Sequence, residues 1–118
     1  MTIRIEIQAR RLPLTDALRR HVVRRFEHAL RHWRVWVESV EVQLAPVPEP
    51  AGRGCSVCRV LVRLAQLPAI VITDLGADLY AAIDEAADHV GRNVDRRMAL
   101  RLRTKRRFGM LHARPTGA

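Results

Sequence analysis

Long apolar runs and cysteines are both scarce in this sequence of 118 residues. No stretch approaches the roughly 20 apolar residues that a bilayer-spanning helix needs. The opening, MTIRIEIQAR, alternates charge with isoleucine and lacks the apolar block of a signal peptide. The two cysteines, Cys55 and Cys58, cannot build a disulfide framework, and no second C-x-x-C pair completes a zinc site. We therefore expect a cytoplasmic protein with no membrane partner and no disulfides.

Groupings of catalytic residues are also missing. The sequence has no glycine-rich phosphate loop, no Ser-His-Asp grouping and no recognisable set of metal ligands. A small hydrolase is the alternative from the enzyme class, because Asp84 and Asp88 lie one helical turn apart beside Glu85. Acids on a helix surface are usually only solvated, so we expect no enzymatic activity, no cofactor, no metal and no small-molecule substrate.

What the sequence does contain is typical of one folded domain. An apolar content of 48% and a charged content of 28% provide enough apolar surface to offset chain entropy. A chain of 118 residues is long enough for one core and too short for two. We place the domain at residues 1–107 and expect residues 108–118, which show no periodicity, to form a flexible C-terminal tail.

The net charge of +9 is unevenly distributed along the chain. Residues 10–34 carry eight arginines against Asp16 and Glu27, a net charge of +6, and residues 35–88 carry a net charge of −5. Residues 89–118 carry eight arginines and Lys105 against Asp95, a net charge of +8. Positive charge gathered in two blocks favours a binding surface for an anionic partner.

The periodicity of apolar residues predicts four strands and two helices. Alternation over 2–8, over 40–44, over 57–64 and at 70 and 72 is typical of strands. Helical spacing begins after the N-cap Thr15 and runs to about Trp33, and it begins again at Ala77. The order β-α-β-β-β-α predicts an α+β fold with one four-stranded mixed sheet and two helices on one face, like a double-stranded-RNA-binding domain. The first two strands should be parallel and the remainder antiparallel.

Helical geometry predicts where the arginines point. On the first predicted helix, Arg20, Arg24 and Arg31 lie opposite the apolar stripe. On the second, the equivalent outward residues are Arg92, Arg96 and Arg103. Arg97 and Arg101 instead fall on the extension of the apolar side, so we expect this helix to leave the sheet near Met98 and to be basic all round beyond it.

Two basic stripes on neighbouring helices could merge into a groove that tracks a phosphate backbone. A solvated basic face is the simpler alternative, and a general double-stranded-RNA binder is another. An anionic membrane surface is disfavoured because neither helix exposes Trp, Phe or Leu that would insert into it.

Several residues have both a structural and a functional interpretation. Trp33 and Trp36 could stack on bases, but an indole at the end of an amphipathic helix more often closes the core, and Tyr80 is similarly ambiguous. Cys58 should be a core residue and Cys55 a strand-edge residue. Three histidines without evident ligand partners are expected to be surface residues or weak RNA contacts: His21, His28 and His32.

The segment DLYAAID at residues 78–84 resembles the start of the second helix in the family of ribosome hibernation promoting factors and ribosome-associated inhibitors, also called the sigma-54 modulation protein family. Residues 15–19, Val22, Arg25 and Phe26 resemble the family's first helix. The resemblance covers residues 1–103 and is to a short form, since no second, dimerising domain follows residue 107. It implies a bacterial factor that occupies the small ribosomal subunit near the decoding region and silences idle ribosomes, as a monomer when bound.

The resemblance also implies RNA contacts at positions where the family carries basic residues, namely Arg19, Arg25, Arg92 and Arg96. Departures from the family pattern are Ala9 in place of a common glycine, His89 in place of a common lysine, and a longer Pro-rich loop at 46–54. Together with the helical geometry, the predicted RNA-binding residues are Arg19, Arg20, Arg24, Arg25, Arg31, Arg92, Arg96, Arg97, Arg101, Arg103 and Lys105.

Overall fold

The chain follows the predicted order of elements, β-α-β-β-β-α, in a computed structural model that describes residues 3–47 and 55–116, with side chains up to Thr104. The elements are β1 (Ile5–Ala9), α1 (Asp16–Ala29), a 3₁₀ helix (Arg31–Trp36), β2 (Val37–Pro46), β3 (Ser56–Leu64), β4 (Leu67–Gly76) and α2 (Leu79–Thr116). The Pro-rich loop at 46–54 lies largely outside the described residues.

The four strands form one mixed sheet in the order β1-β2-β3-β4. β1 pairs with β2 in parallel, which the α1 crossover makes possible, and the other two pairings are antiparallel. Both helices pack on the same face of this sheet, so the predicted fold is confirmed. The opposite face is open and carries polar residues such as Arg4, Gln43 and Arg59, as the alternation predicts.

The core lies between the sheet and the two helices. α1 contributes Val22 and Phe26, and α2 contributes Ile83, Val90 and Val94, all of them fully buried. From the strands, every second residue points inward, as at Val40, Val42, Val60 and Val62. Cys58 belongs to this core and Cys55 is half-buried just before β3, as predicted.

α1 ends earlier than the predicted end near Trp33. Its N-terminus is the predicted one, because the Thr15 hydroxyl accepts a hydrogen bond from the Leu18 backbone N–H at 3.1 Å. After Ala29 the chain tightens into the 3₁₀ helix, where residues three apart share a side. Trp33 and Trp36 therefore both pack against the core, which confirms the structural interpretation of these indoles.

α2 begins at Leu79, two positions after the predicted start, because the Asp78 carboxylate accepts a hydrogen bond from the Ala81 backbone N–H at 2.8 Å. It continues to Thr116, past the predicted domain end at residue 107. The side chains after Thr104, including Lys105, lie outside the described residues, so the flexible tail at 108–118 stays a prediction.

Candidate nucleic-acid interface

The outward side of α1 carries arginines because the core occupies its inward side. Leu18, Val22 and Phe26 are buried at four-residue spacing. At 100° per residue Arg20 and Arg24 fall on the opposite side, and both are exposed as predicted. Among the described residues neither guanidinium has a hydrogen-bond or ion-pair partner. Their N–H donors are therefore directed to solvent and available to an anionic ligand.

Arg19 extends this surface toward the flank of α1 that faces away from α2. Together with Arg20, Val23, Arg24 and Glu27 it lines a shallow recess of about 410 Å³. We call the three exposed arginines Arg19, Arg20 and Arg24 the α1 patch. Glu27 is the one acid at its rim, and it leaves the patch with a net positive charge.

Arg31 is not part of the outward stripe of α1, although the predicted helix would have placed it there. It is the first residue of the 3₁₀ helix, and its Nη1 donates to the His28 carbonyl oxygen at 2.8 Å. The same nitrogen lies 3.1 Å from His28 Nε2. A cation at this position donates to a carbonyl of the last turn and complements the negative end of the α1 dipole. Arg31 is exposed and has a capping role in addition to its predicted RNA contact.

On α2, Arg92, Arg96 and Arg103 fall within roughly 40° of one another on the side opposite the core. All three are exposed, as predicted, and none has a partner among the described side chains. We call these three arginines the α2 patch. The α2 patch lies next to His89 on the helix surface. Because His89 Nδ1 is 3.0 Å from an oxygen of Asp74, this side of the helix faces β4.

The line of contact between the helices, which we call the seam, is lined by acids of α2. Contacts pair residues 21, 25 and 33 of the first helical segment with 84, 88 and 95 of α2, so the two helices run parallel. The Arg25 guanidinium donates to Asp84 Oδ1 at 2.9 Å and to Asp88 Oδ1 at 2.9 Å. Asp84 also lies 2.8 Å from His21 Nε2, and the Trp33 indole donates to Asp95 at 2.7 Å.

These contacts give Arg25 a structural role that the sequence did not indicate. Partial burial of the guanidinium disfavours its charge, but hydrogen bonds and charge attraction from Asp88 and Asp84 outweigh burial and raise the pKa of Arg25. Asp84 and Asp88, which the sequence suggested as an alternative hydrolase site, form ion pairs with Arg25 that join the two helices. The sequence does contain a signal for this role of Arg25. It is a basic residue near core positions on one helix, together with a pair of acids spaced i, i+4 on the other.

The seam also separates the two patches. We expected the basic stripes to merge into a groove between the helices, but the acids of α2 occupy that line. The α1 and α2 patches instead face outward from the same helical layer, on either side of the seam. The two patches, with the acidic seam between them, lie on one face of the molecule, which we call the basic surface and which is opposite the open face of the sheet.

Arg97 and Arg101 lie where α2 passes the turn between β3 and β4. Arg97 Nη1 donates to the Pro68 carbonyl oxygen at 2.7 Å, and Arg101 Nη2 donates to Gln66 Oε1 at 3.0 Å. Arg101 also stacks over Trp36, with its guanidinium carbon 5.3 Å from the ring centroid. Met98 is the last buried residue of α2 among the described side chains, so the helix leaves the core where predicted. Arg97 and Arg101 do not project freely there, because they contact the region of the β3–β4 turn.

The other side-chain groups that the sequence singled out have no ligand geometry. Within the described ranges, no three His, Cys, Asp or Glu side chains form a group that could hold a metal ion. Burial, with a smaller contribution from Asp74, raises the pKa of Cys58 to about 12, so its thiol is neutral and unreactive near neutral pH. No helix in the described part of the chain is long and apolar enough to cross a membrane.

Comparison with known proteins agrees with this architecture. A family model described as Sigma 54 modulation protein / S30EA ribosomal protein matches residues 5–101. The N-terminal domain of Thermus thermophilus Protein Y superposes with a TM-score of 0.65 at 29% identity, covering 81% of this chain and 98% of that one. A ribosomal subunit interface protein from Coxiella burnetii has a TM-score of 0.66 at 14% identity, covering 82% and 99%, and shows the shared fold alone. The search of curated protein sequences found no match.

Proposed function

Because the chain belongs to the Sigma 54 modulation protein / S30EA ribosomal protein family, we propose that it is a translation inhibitor of the hibernation type that binds small-subunit rRNA near the decoding region. The contacts come from the broad basic surface of the two helices. The protein acts in the cytoplasm, without catalysis, and binds as a monomer. By covering the place where messenger and transfer RNA bind, it keeps idle ribosomes silent.

The observation that carries this proposal is the presence of six exposed arginines on one layer that have no partner among the described residues. They are the α1 patch, Arg19, Arg20 and Arg24, and the α2 patch, Arg92, Arg96 and Arg103. In contrast, Asp84 and Asp88 of α2 face the seam, where Arg25 and His21 contact them. The arginines outside the seam therefore remain available to phosphate, and Glu85 is an exposed acid on the outward side of α2.

Arginine suits this task because its planar guanidinium presents five N–H donors in a fixed fork that matches phosphate oxygens. Each phosphate that an arginine neutralises releases counterions, so binding should weaken steeply with salt. The remaining predicted contacts take part less directly. Arg25 is held by Asp84 and Asp88 and positions α1, while Arg31 keeps its exposed guanidinium at the end of α1.

Charge reversal on the helical layer tests the proposal. Arg92→Glu with Arg96→Glu changes two exposed side chains and should leave the free energy of unfolding within about 0.5 kcal/mol of the parent. We expect the variant to lose co-sedimentation with ribosomes at low salt. The matched control is Arg4→Glu with Arg59→Glu, which makes the same charge change on the open face of the sheet. The control should pellet with ribosomes like the parent.

Equal loss in both double variants would show that net charge alone governs association and would contradict a site on the helices. Unchanged pelleting of the folded Arg92→Glu, Arg96→Glu variant would remove the α2 patch from the site. Competition distinguishes a ribosome-specific factor from a general binder of structured RNA. Free duplex RNA should compete poorly with small subunits, and effective competition would favour the general binder.

A further inference from the structure

A second recess lies beside α2 where the helix passes the β3–β4 turn. Leu67, Arg97, Leu100, Arg101 and Thr104 line it, and its volume is about 520 Å³. That volume is within the range of roughly 300–1,000 Å³ that is common for small-ligand sites. The recess is a continuation of the apolar stripe of α2 beyond the last fully buried core residue, Met98.

The floor of the recess is apolar and exposed. Leu100 keeps 53% of its surface accessible, although it lies one turn after Arg96 on an otherwise basic part of the helix. The expectation that neither helix exposes leucine is therefore wrong for this part of α2. Leu67 at the start of β4 is half-buried against the edge of the core. An exposed leucine beside a hollow is a place where the flat face of a ligand can exclude water.

The walls of the recess are two guanidinium groups that the fold holds in position. Arg97 is anchored on the Pro68 carbonyl and Arg101 on Gln66 and Trp36. Among the described residues, each group has only part of its five N–H donors engaged in these bonds. Among the described side chains no acid lines the recess, so the anchored guanidinium groups keep their positive charge there.

We propose that this recess binds a single unstacked nucleotide of the bound RNA, with the base over Leu67 and Leu100 and its phosphate on Arg97 and Arg101. Apolar side chains beside two guanidinium groups suit a flat base joined to an anion, and unpaired bases are what proteins read in RNA loops and bulges. Arg96 of the α2 patch precedes Leu100 by one helical turn, so the RNA backbone can pass from the patch into the recess without a break. The inference rests on the proposed function and adds the recognition of an unpaired base to it.

The test compares two oligoribonucleotides of equal charge, tetra-adenylate and a tetranucleotide of abasic residues, at low salt. Methyl groups that touch a base shift upfield in the NMR spectrum, so tetra-adenylate should shift the Leu67 and Leu100 methyl signals in a saturable way. The abasic chain should leave these signals in place and bind at least about fivefold more weakly, which is the lower range of the effect of stacking one base.

A matched pair of variants locates the site. Leu100→Ser removes the apolar floor, and Leu102→Ser makes the same change at an exposed leucine, 41% accessible, that lies outside the recess. Both substitutions keep the charge and replace exposed side chains. We expect Leu100→Ser to bind the two oligonucleotides equally, whereas Leu102→Ser keeps the parent's preference for tetra-adenylate.

Equal affinities of the parent for both oligonucleotides, or no shift at Leu67 and Leu100, would overturn the inference. Equal binding and equal methyl shifts with an acidic leucine-containing tetrapeptide would overturn it in favour of a protein partner. Ribosome pelleting of the same samples keeps this result separate from the proposed function. If the oligonucleotide test fails but the parent still pellets with ribosomes, the nucleotide site in the recess is refuted and the proposed function is retained. If the parent shows neither the preference for tetra-adenylate nor ribosome pelleting, both proposals are refuted.

Discussion

Residues of one type have different roles on α1 according to their neighbours. Arg24 and Arg25 are adjacent, yet Arg24 is exposed without a partner among the described residues, and Arg25 keeps only 25% of its side chain exposed between two carboxylates. The difference follows from the 100° step between them, which turns Arg24 to solvent and Arg25 to the seam. An arginine is therefore available to a ligand at position 24 and forms ion pairs between the helices at position 25.

Arg25→Ala should lower the free energy of unfolding by about 1 kcal/mol, because it leaves Asp84 and Asp88 facing each other without their cation. Urea unfolding would measure the change. Arg24→Ala is the control and should shift stability by less than about 0.5 kcal/mol. Ribosome pelleting should show the reverse order, with the larger loss for Arg24→Ala. Equal stability of the two variants would contradict the anchoring role of Arg25.

The two cysteines should differ in reactivity. Cys58 is fully buried with a pKa of about 12, so an alkylating reagent at pH 8 should modify Cys55 and spare Cys58 in the folded protein. Mass spectrometry should find one adduct in buffer and two in denaturant, and a Cys58→Ala variant should give one in both. Two adducts at equal rates in buffer would refute the burial of Cys58.

The same pKa predicts a direction for stability at alkaline pH. The folded-state value of about 12 lies above the reference value of 9.0, so Cys58 contributes stability that is fully present below pH 9. That contribution is lost as the pH rises toward 12. Cys58→Ala should therefore flatten the decline of the unfolding free energy between pH 8 and pH 10, as measured by urea titrations. A decline of the same slope in both proteins would contradict the shift.

At the scale of elements, short connections set the positions of both helices. The 3₁₀ helix after α1 places Trp33 and Trp36 on one side, so that the first reaches Asp95 of α2 and the second lies under Arg101. Gly76, at the end of β4, allows the close connection between β4 and α2. A Cβ atom there would overlap the backbone nitrogen of Ala82 and lie 2.7 Å from its Cα. The first turn of α2 thus passes directly over the end of β4.

Gly76→Ala should destabilise the protein by about 1–3 kcal/mol, because the new methyl group meets backbone atoms that can move only with the helix. Chemical denaturation would give the difference. Gly91→Ala is the comparison, since a Cβ there would lie 3.3 Å from the Ala29 carbonyl oxygen, and alanine also favours a helix by about 1 kcal/mol. A smaller loss at Gly76 than at Gly91 would contradict the close passage of α2.

The whole molecule has two faces of different character. The helical face carries the two arginine patches, and the open face of the sheet mixes charges, as in the pairs Arg4 with Glu6 and Arg63 with Glu41. Mixed charges cancel at short range, whereas clusters of unpaired arginines attract a polyanion over about 10 Å at 0.1 M salt. The molecule should therefore approach RNA with its helices first.

Neutralising the α1 patch should change the salt dependence of ribosome binding. For Arg20→Gln with Arg24→Gln, the slope of log K against log salt should become shallower by about 1–2, since up to two fewer counterions are released. Binding at a series of salt concentrations measures this slope. Arg4→Gln with Arg59→Gln removes the same charge from the open face and should leave the slope unchanged. A parallel change in the control would place the RNA on the sheet.

The sequence by itself determined the order of elements, the core and the outward arginines. These follow from local periodicity. A two-residue repeat, as at Val40 and Val42, fixes which face of a strand is buried, and a helical repeat, as at Val22 and Phe26, fixes which side of a helix is buried. Arg20 and Arg92 point outward for the same reason. Sequence also predicted the family, from a short stretch at the start of α2, and the match over residues 5–101 confirmed it.

Only the tertiary structure decided which charged groups contact each other. The ion pairs of Arg25 with Asp84 and Asp88 join residues about 60 positions apart, and they depend on the parallel packing of the two helices. The recess at Leu67 and Leu100 depends on how far α2 extends past the β3–β4 turn. Periodicity reports which side of an element is buried, but the neighbours on its flanks are set by the distance and direction at which elements pack.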